Sequence, residues 1–382
     1  EFRRVLFRSS YTDENTLIVS TDFGAGTMTT SGYPNQVKIW KRGTLLQDAT
    51  LIYEGQQSDV GTWGGTLRDG DKIYTFISQA PTFFTSKKLI WTDHKMVTLD
   101  IPEDCTINGI LNDQLIIQLK SDWTVNSQTY KNGSLLSLDF TKLLKGTKDA
   151  QLIIQPDEFS SISEVSTTKN KVLINLLRNV TSELYIYSFA NGKWTNEKVK
   201  APDFGTISII TTNESSDEYF FQYENFITPT TLYAANAAAN TFKASQSLPA
   251  YFDAGKYEVK QFKAKSKDGT LVPYFLVAAK GLKTDGTNPT LIVAYGGFEV
   301  SYQPFYLSKY GNAWLDKGGV FVLANIRGGG EFGPKWHQDG IKEKRQHVFD
   351  DLFAVSEDLI AQKITSPKHL GVMGGSNGGL LV

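Results

Sequence analysis

Between Tyr11 and about Phe252 the chain repeats one phrase, a short polar turn followed at once by an apolar, β-type run. It occurs at Asn15-Thr16-Leu17-Ile18, Asp71-Lys72-Ile73-Tyr74, Asp113-Gln114-Leu115-Ile116, Asn170-Lys171-Val172-Leu173 and Asp217-Glu218-Tyr219-Phe220. Successive starts lie 56, 42, 57 and 47 residues apart. A four-stranded sheet of roughly 40–50 residues, repeated radially, is the pattern of a β-propeller. Further strands fit inside the units: Leu89-Ile90-Trp91 before Met96-Val97-Thr98-Leu99, and Leu184-Tyr185-Ile186-Tyr187 before the hairpin dipeptide Asn191-Gly192. The spacing predicts five blades over 11–252. The repeats carry no fixed dipeptide mark, so periodicity alone leaves an irregular array of β-sandwiches as the alternative.

Near Asp253 the texture changes. Glu258 to Lys263 and Leu271 to Ala278 can pair as a hairpin across Asp268-Gly269. Leu291 to Ala294 and Val320 to Ala324 are continuous apolar runs, expected of strands covered on both faces. Val348, Phe349, Leu352, Val355, Leu359 and Ile360 recur at helical spacing among Asp350, Asp351, Glu357 and Asp358, which predicts an amphipathic helix with an acidic polar face. Ser366-Pro367 ends it, and Leu370 to Met373 makes the next strand. Strand, helix, strand and sharp turn identify 253–382 as an α/β domain.

Composition excludes several functions. The 39 Lys and Arg balance 40 Asp and Glu, and no long run of either sign occurs. This argues against a nucleic-acid or membrane-surface partner. Cys105 is the lone cysteine, so an intramolecular disulfide is impossible and a buried, inert thiol is expected. His94, His337, His347 and His369 lack metal-ligand spacing, so neither metal nor cofactor is expected. The first ten residues, EFRRVLFRSS, lack an initiator Met and have an apolar core of only Val5-Leu6-Phe7, too short for a signal peptide. Residues 1–10 are expected to be a cloning or assembly scar outside the fold. The address is then unreadable, with cytoplasm or periplasm and a monomeric state as default expectations.

Chemistry concentrates at the end of the chain. Gly374-Gly375-Ser376-Asn377-Gly378 satisfies G-x-S-x-G, the turn that lifts a serine hydroxyl above a sheet edge at a strained strand-to-helix junction. A side chain two residues before or after the serine would collide with neighbouring backbone. Five residues alone are a weak signal, but here a predicted strand precedes them and a helix opens near Gly378-Gly379-Leu380. Its first amides would favour negative charge beside Ser376. Acyl transfer at such a serine needs oxyanion donors: the N–H after the nucleophile, here Asn377, and a group on the loop after the third strand. If the Glu258, Leu271, Leu291, Val320 and Leu370 segments are strands one to five, Tyr295 occupies that loop; its alternative is a tyrosine capping a core strand. Arg327 to Gly333 is glycine-rich but lacks the Gly-Lys-Ser/Thr ending of a nucleotide loop. Close backbone packing is expected there, with Arg327 paired to an acidic neighbour. His337 precedes the serine, whereas in this fold the Asp and His follow it, so His337 is not expected to be the base.

Tyr295-Gly296-Gly297-Phe298, Ala324-Asn325-Ile326-Arg327-Gly328-Gly329-Gly330-Glu331-Phe332-Gly333 with Trp336-His337, and Gly374 to Gly379 together resemble the prolyl oligopeptidase family of serine peptidases. Lys267-Asp268-Gly269-Thr270 and Pro273 match as well, so the resemblance covers 253–382 and extends loosely over the β-repeats. It implies a seven-bladed propeller above an α/β-hydrolase domain, with short peptides as substrates. It further implies that Ser376 is the acylating nucleophile, that the Tyr295 hydroxyl and the Asn377 amide bind the oxyanion, and that Phe298 lines the substrate cleft. Asn377 is similar to the proline-directed branch, where the branch cutting after basic residues commonly has Ala. Glu299 stands where the family pattern has Asn. Against that pattern the chain is expected to be a piece, with five of seven blades and a hydrolase domain ending at the elbow. The catalytic Asp and His are then expected beyond Val382, and the 382 residues alone are expected to be inactive. The alternatives are an exopeptidase or esterase of the same fold, and a non-catalytic propeller scaffold.

Overall fold

The structure, a computed structural model, describes residues 8–382; residues 1–7 lie outside the described residues. The chain divides into two compact units, Glu1–Gln155 and Pro156–Val382. The first unit holds three consecutive four-stranded antiparallel sheets, spanning 8–54, 61–98 and 106–154. Each recurring phrase of the sequence sits at the hairpin between a sheet's first and second strands. The second strands here are Thr16–Ser20, Lys72–Ala80 and Gln114–Gln118. The leading segment is not wholly outside the fold. Arg8, Ser9 and Ser10 pair with Ser20, Val19 and Ile18, because an edge strand is held by its backbone ladder whatever its side chains.

Alternation along the strands lets one sheet serve two cores. In the middle sheet Leu89 packs with Ile18, Val37 and Ile77, whereas its neighbour Ile90 packs with Leu115, Ile117, Leu136 and Leu138 of the third sheet. This is face-to-face stacking of successive sheets. Cys105 is buried in the second of these cores, and burial pushes its thiol up to about 11, so the inert reading of the sequence holds.

The second unit opens with two more such sheets, spanning 160–198 and 206–247. Their second strands, Val172–Arg178 and Glu218–Glu224, again begin at the recurring phrase. Asn191 and Gly192 both have positive φ, 51° and 73°, as the predicted two-residue hairpin requires. Leu173, Leu184, Ile186, Ile207, Tyr219 and Phe221 form the core between these two sheets.

A five-stranded mixed sheet follows, built from β1 (Tyr257–Lys265), β2 (Leu271–Ala279), β3 (Thr290–Val293), β4 (Val320–Ala324) and β5 (Leu370–Met373) in the order β1-β2-β4-β3-β5. β1, β2 and β4 are antiparallel neighbours, while β3 runs parallel to both β4 and β5. On one face Tyr274, Leu276, Ile292, Val322 and Ala324 pack against Val348, Leu352, Val355 and Leu359 of α1 (Gln346–Ala361). On the other, Phe275, Val277, Phe321 and Leu323 meet Phe226, Tyr306 and Leu307. Coverage of both faces is complete for β4 but not for β3, whose Leu291 and Val293 are only half-buried. β3 lies next to the outer strand β5, where Val372 and Met373 are exposed. Val293 and Met373 are register partners, so the loops after β3 and β5 leave the sheet side by side.

The acidic face expected on α1 is only partly a solvated face. Asp358 accepts the Tyr274 hydroxyl at 2.6 Å, and Asp351 is fully buried. Asp351 accepts Ser266 Oγ at 2.6 Å and three donors of Arg327: Nη2 at 2.6 Å, Nε at 2.9 Å and the backbone N–H at 3.0 Å. Arg327 also pairs with Asp268 on the β1–β2 turn. Burial works against the Arg327 charge, and its bonds to Asp351 and Asp268 outweigh that, keeping the guanidinium protonated. The Arg327 hydrogen bond holds the Asp268 carboxyl well below the usual range.

Removing one partner of a buried, fully hydrogen-bonded pair leaves the other charge stranded, at a cost of about 3–5 kcal/mol. Asp351→Asn is therefore expected to lower the stability of the second unit by that amount in urea unfolding, with the half-exposed Asp350→Asn as a control within about 0.5 kcal/mol. Asp268 has a depressed pKa, so its contribution is present above the ordinary aspartate value of about 3.9 and fades as pH falls through the folded value. Asp268→Asn is expected to flatten the acid limb of a stability–pH curve.

Candidate active site

β5 stops at Met373, and α2 (Asn377–Leu381) begins four residues later. Ser376 bridges them with φ 51° and ψ −118°, a left-handed conformation that costs an L-residue on the order of 1–3 kcal/mol. Two glycines make the bend possible. A Cβ on Gly374 would stand 2.1 Å from the Gly378 carbonyl oxygen, and one on Gly378 would stand 2.7 Å from the Ala294 oxygen. Gly375 meets nothing within 4 Å and has no such constraint. Ser376 is exposed at the tip, and the Asn377 N–H, in the first turn of α2, has no helical carbonyl behind it to accept it.

The loop after β3 lies against this bend. The Asn377 side chain donates through Nδ2 to the Tyr295 carbonyl at 2.7 Å and accepts Arg345 Nη2 on Oδ1 at 3.2 Å. Arg345 Nη1 donates to the Gly296 carbonyl at 2.6 Å. Gly297 completes the fit, since a Cβ there would stand 2.3 Å from Asn377 Nδ2. Asn377 thus fastens the turn of Ser376 to the loop of Tyr295, and Arg345 fastens both to the start of α1. The Tyr295 ring stacks on Tyr302, with centroids 5.4 Å apart and planes at 20°. Phe298 has φ 53° and its side chain is 58% exposed. A cavity of about 690 Å³ opens beside the bend, lined by Val293, Tyr302, Tyr310, Met373, Gly374 and Gly375 among others.

The glycine run after β4 supports the Tyr295 loop from beneath, as the sequence suggests. Cβ atoms on Gly328 and Gly330 would stand 2.5 and 2.4 Å from the carbonyl oxygens of Gly296 and Glu299. The Glu299 N–H reaches the Gly328 carbonyl at 3.2 Å. His337 is buried here, its Nδ1 2.8 Å from the Gly328 carbonyl and 3.1 Å from the Glu299 nitrogen. These contacts tie His337 to the backbone of the glycine run and of the Tyr295 loop.

Four contributions escape sequence reading: the Arg345 clamp, the Asn377 side-chain bridge, the Tyr302 stack and the burial of Glu331. Arg345 sits in the basic stretch Lys342-Glu343-Lys344-Arg345, which reads as a solvated surface. Nothing in its spacing marks one of these cations as facing inward.

The two glycines of the bend give an unequal pair of variants. Gly374→Ala is expected to lose about 1–3 kcal/mol in chemical unfolding because backbone must shift to admit the methyl, while Gly375→Ala stays within about 0.5 kcal/mol. Equal losses would show that the close approach at Gly374 does not shape the turn. Arg345→Met is expected to cost about 1–3 kcal/mol through the stranded Gly296 carbonyl and Asn377 side chain, and Lys344→Met next to nothing.

Two family models match the chain: the N-terminal β-propeller domain of prolyl oligopeptidase over residues 3–247, and the prolyl oligopeptidase family over residues 306–382. An uncharacterised peptidase of Sinorhizobium fredii is 43% identical over 98% of this chain and 53% of its own length. A prolyl endopeptidase of Elizabethkingia miricola is 35% identical over 92% of this chain and 49% of its own. Among solved structures, a post-proline cleaving enzyme from Rickettsia typhi superposes with a TM-score of 0.92 at 36% identity, covering 98% of this chain and 56% of that one. The chain spans about half the length of the curated relatives it matches. With the propeller model covering most of the first 250 residues and the peptidase model reaching through the serine turn, the chain belongs to the prolyl oligopeptidase family of peptidases.

Proposed function

We propose that the chain carries the nucleophile and oxyanion site of a serine oligopeptidase that cuts short peptides on the carboxyl side of proline. The observation that carries this reading is the strained Ser376 joined through Asn377 to the loop of Tyr295. In this reading Ser376 Oγ attacks the scissile carbonyl, and the negative charge that develops on its oxygen is met by the Asn377 N–H and the Tyr295 hydroxyl. Phe298 offers its exposed ring to the substrate side chain. The Asn377 side chain is occupied by Tyr295 and Arg345, so its part is to align the two donors rather than to touch substrate. The preference for proline is supported by two relatives named for that specificity, 35% and 36% identical.

A serine attacks efficiently only when a base takes its proton, and loss of that base costs several powers of ten. In this fold the base follows the serine in the chain, and His94, His337, His347 and His369 all precede Ser376. The 382-residue chain by itself is therefore expected to hydrolyse peptides at no measurable rate and to react sluggishly with a fluorophosphonate. Rapid, stoichiometric labelling that disappears in Ser376→Ala would contradict this. Specificity is tested with the product of the whole reading frame that encodes this chain, assayed on fluorogenic peptides with Pro or Lys before the scissile bond. Cleavage after Pro is expected, lowered about 10⁴-fold or more by Ser376→Ala; faster cleavage after Lys would end the proline assignment.

A further inference from the structure

Glu331, which closes the glycine run after β4, is 2% exposed, and its two carboxyl oxygens are treated unequally. Oε1 accepts the Tyr302 N–H at 2.9 Å and faces Asn325 Nδ2 at 3.4 Å. Oε2 is buried without a hydrogen-bond partner. Tyr302 begins a strap, 302–307, that continues the Tyr295 loop and is tied to the two β-sheets that open its unit: to the sheet 160–198 through Gln303, which donates to Ser163 Oγ at 3.3 Å and accepts Ser182 Oγ at 3.4 Å, and to the sheet 206–247 by three further bonds. Thr206 Oγ1 donates to the Pro304 carbonyl at 2.6 Å, the Tyr306 N–H to Glu224 Oε2 at 3.1 Å, and the Leu307 N–H to the Phe226 carbonyl at 3.1 Å. The Glu331 carbonyl itself accepts Ser161 Oγ at 3.0 Å. Glu331 therefore sits under the residue whose ring stacks on Tyr295.

A carboxylate is an acceptor with about four lone-pair sites, and burying it with one oxygen unpartnered costs far more as the anion than as the neutral acid. We propose that Glu331 is a proton-operated latch: as the neutral acid it holds Tyr302, and through the stacked rings Tyr295, in the geometry of the oxyanion site, and losing its proton loosens the strap. The latch acts on Tyr295 by position, and its bearing on catalysis rests on the peptidase reading above. Burial pushes the Glu331 carboxyl up to about 7, against the opposing pull of the hydrogen bonds it accepts from the Tyr302 N–H, its own N–H and Asn325. Titratable groups on the surrounding elements include Tyr302 on the strap, Glu299 before it, Arg327 on the glycine run, His337 on the following helix and Glu164 on the neighbouring sheet, while Glu224 and Tyr306 meet farther along the strap. Arg327 is spent on Asp351 and Asp268, and Glu164 accepts the Ile209 N–H. None of these groups donates to Oε2.

Linkage fixes the sign. A buried acid with a raised pKa favours the closed form fully below its exposed value of about 4.3, and this advantage is lost as pH rises through the folded value. Opening then increases up to tenfold per pH unit between about pH 5 and pH 7 and levels off above. Hydrogen–deuterium exchange of the 382-residue chain, corrected for the intrinsic rate, reads this directly. Peptides covering 299–307 are expected to show that slope, while those covering 172–178 stay flat. Glu331→Gln, neutral at every pH and able to accept the Tyr302 N–H, is expected to be flat and as protected as the unaltered chain at pH 5. Glu331→Ala is expected to be fast throughout. A flat profile in the unaltered chain, or a Gln variant that keeps the slope, overturns the latch. Because exchange needs no turnover, it is decided independently of Ser376: Ser376→Ala should leave the profile unchanged, so failure of the peptidase reading and failure of the latch appear in different measurements.

Discussion

The bonds from Arg327 to Asp351 hold the hydrolase part of the chain in register. One carboxylate inside α1 collects three donors from a single arginine and a fourth from Ser266, which fixes the helix, the end of β4 and the turn after β1 to one another. Such a pair gains little over well-packed apolar side chains in free energy, because both charges must leave water. Its value here is directional, since the bonds set where the glycine run begins and how it lies. The run sets the height of the Tyr295 loop, and the loop meets the Ser376 turn through Asn377. Each contact depends on the one beneath it.

The parts of this arrangement that could be read from residues alone are those in which one local pattern has one physical cause. A polar turn followed by an apolar strand recurs because every sheet needs the same hairpin, so all five second strands could be placed. The turn at Ser376 could be placed because a Cβ on Gly374 or Gly378 would stand only 2.1 or 2.7 Å from a backbone oxygen, a constraint met by one residue type. The packing role of Gly328 to Gly330 was legible for the same reason.

What could not be read depends on groups far apart in sequence or on a side chain's direction. Asp351 looks like any acid on a helix's polar face until the fold sets Arg327 beside it. Arg345 is one of several cations in a short basic stretch, and only packing selects it. Glu331 stood inside a recognised phrase without a task, because burial on every side is a property of the assembled layers. The first strand was set aside on composition, yet Arg8 to Ser10 enter the ladder through backbone groups that every residue carries.

The strap from Tyr302 to Leu307 answers at one end to the rims of two β-sheets and at the other to the Tyr295 ring. Thr206 and Glu224 precede Ser376 by well over a hundred positions, yet they grip the same short length of backbone that Tyr295 leans on. Hydrogen bonds thus join those sheets directly to the length of chain whose first residue stacks on Tyr295. A survey confined to the last hundred amino acids would overlook these rim positions.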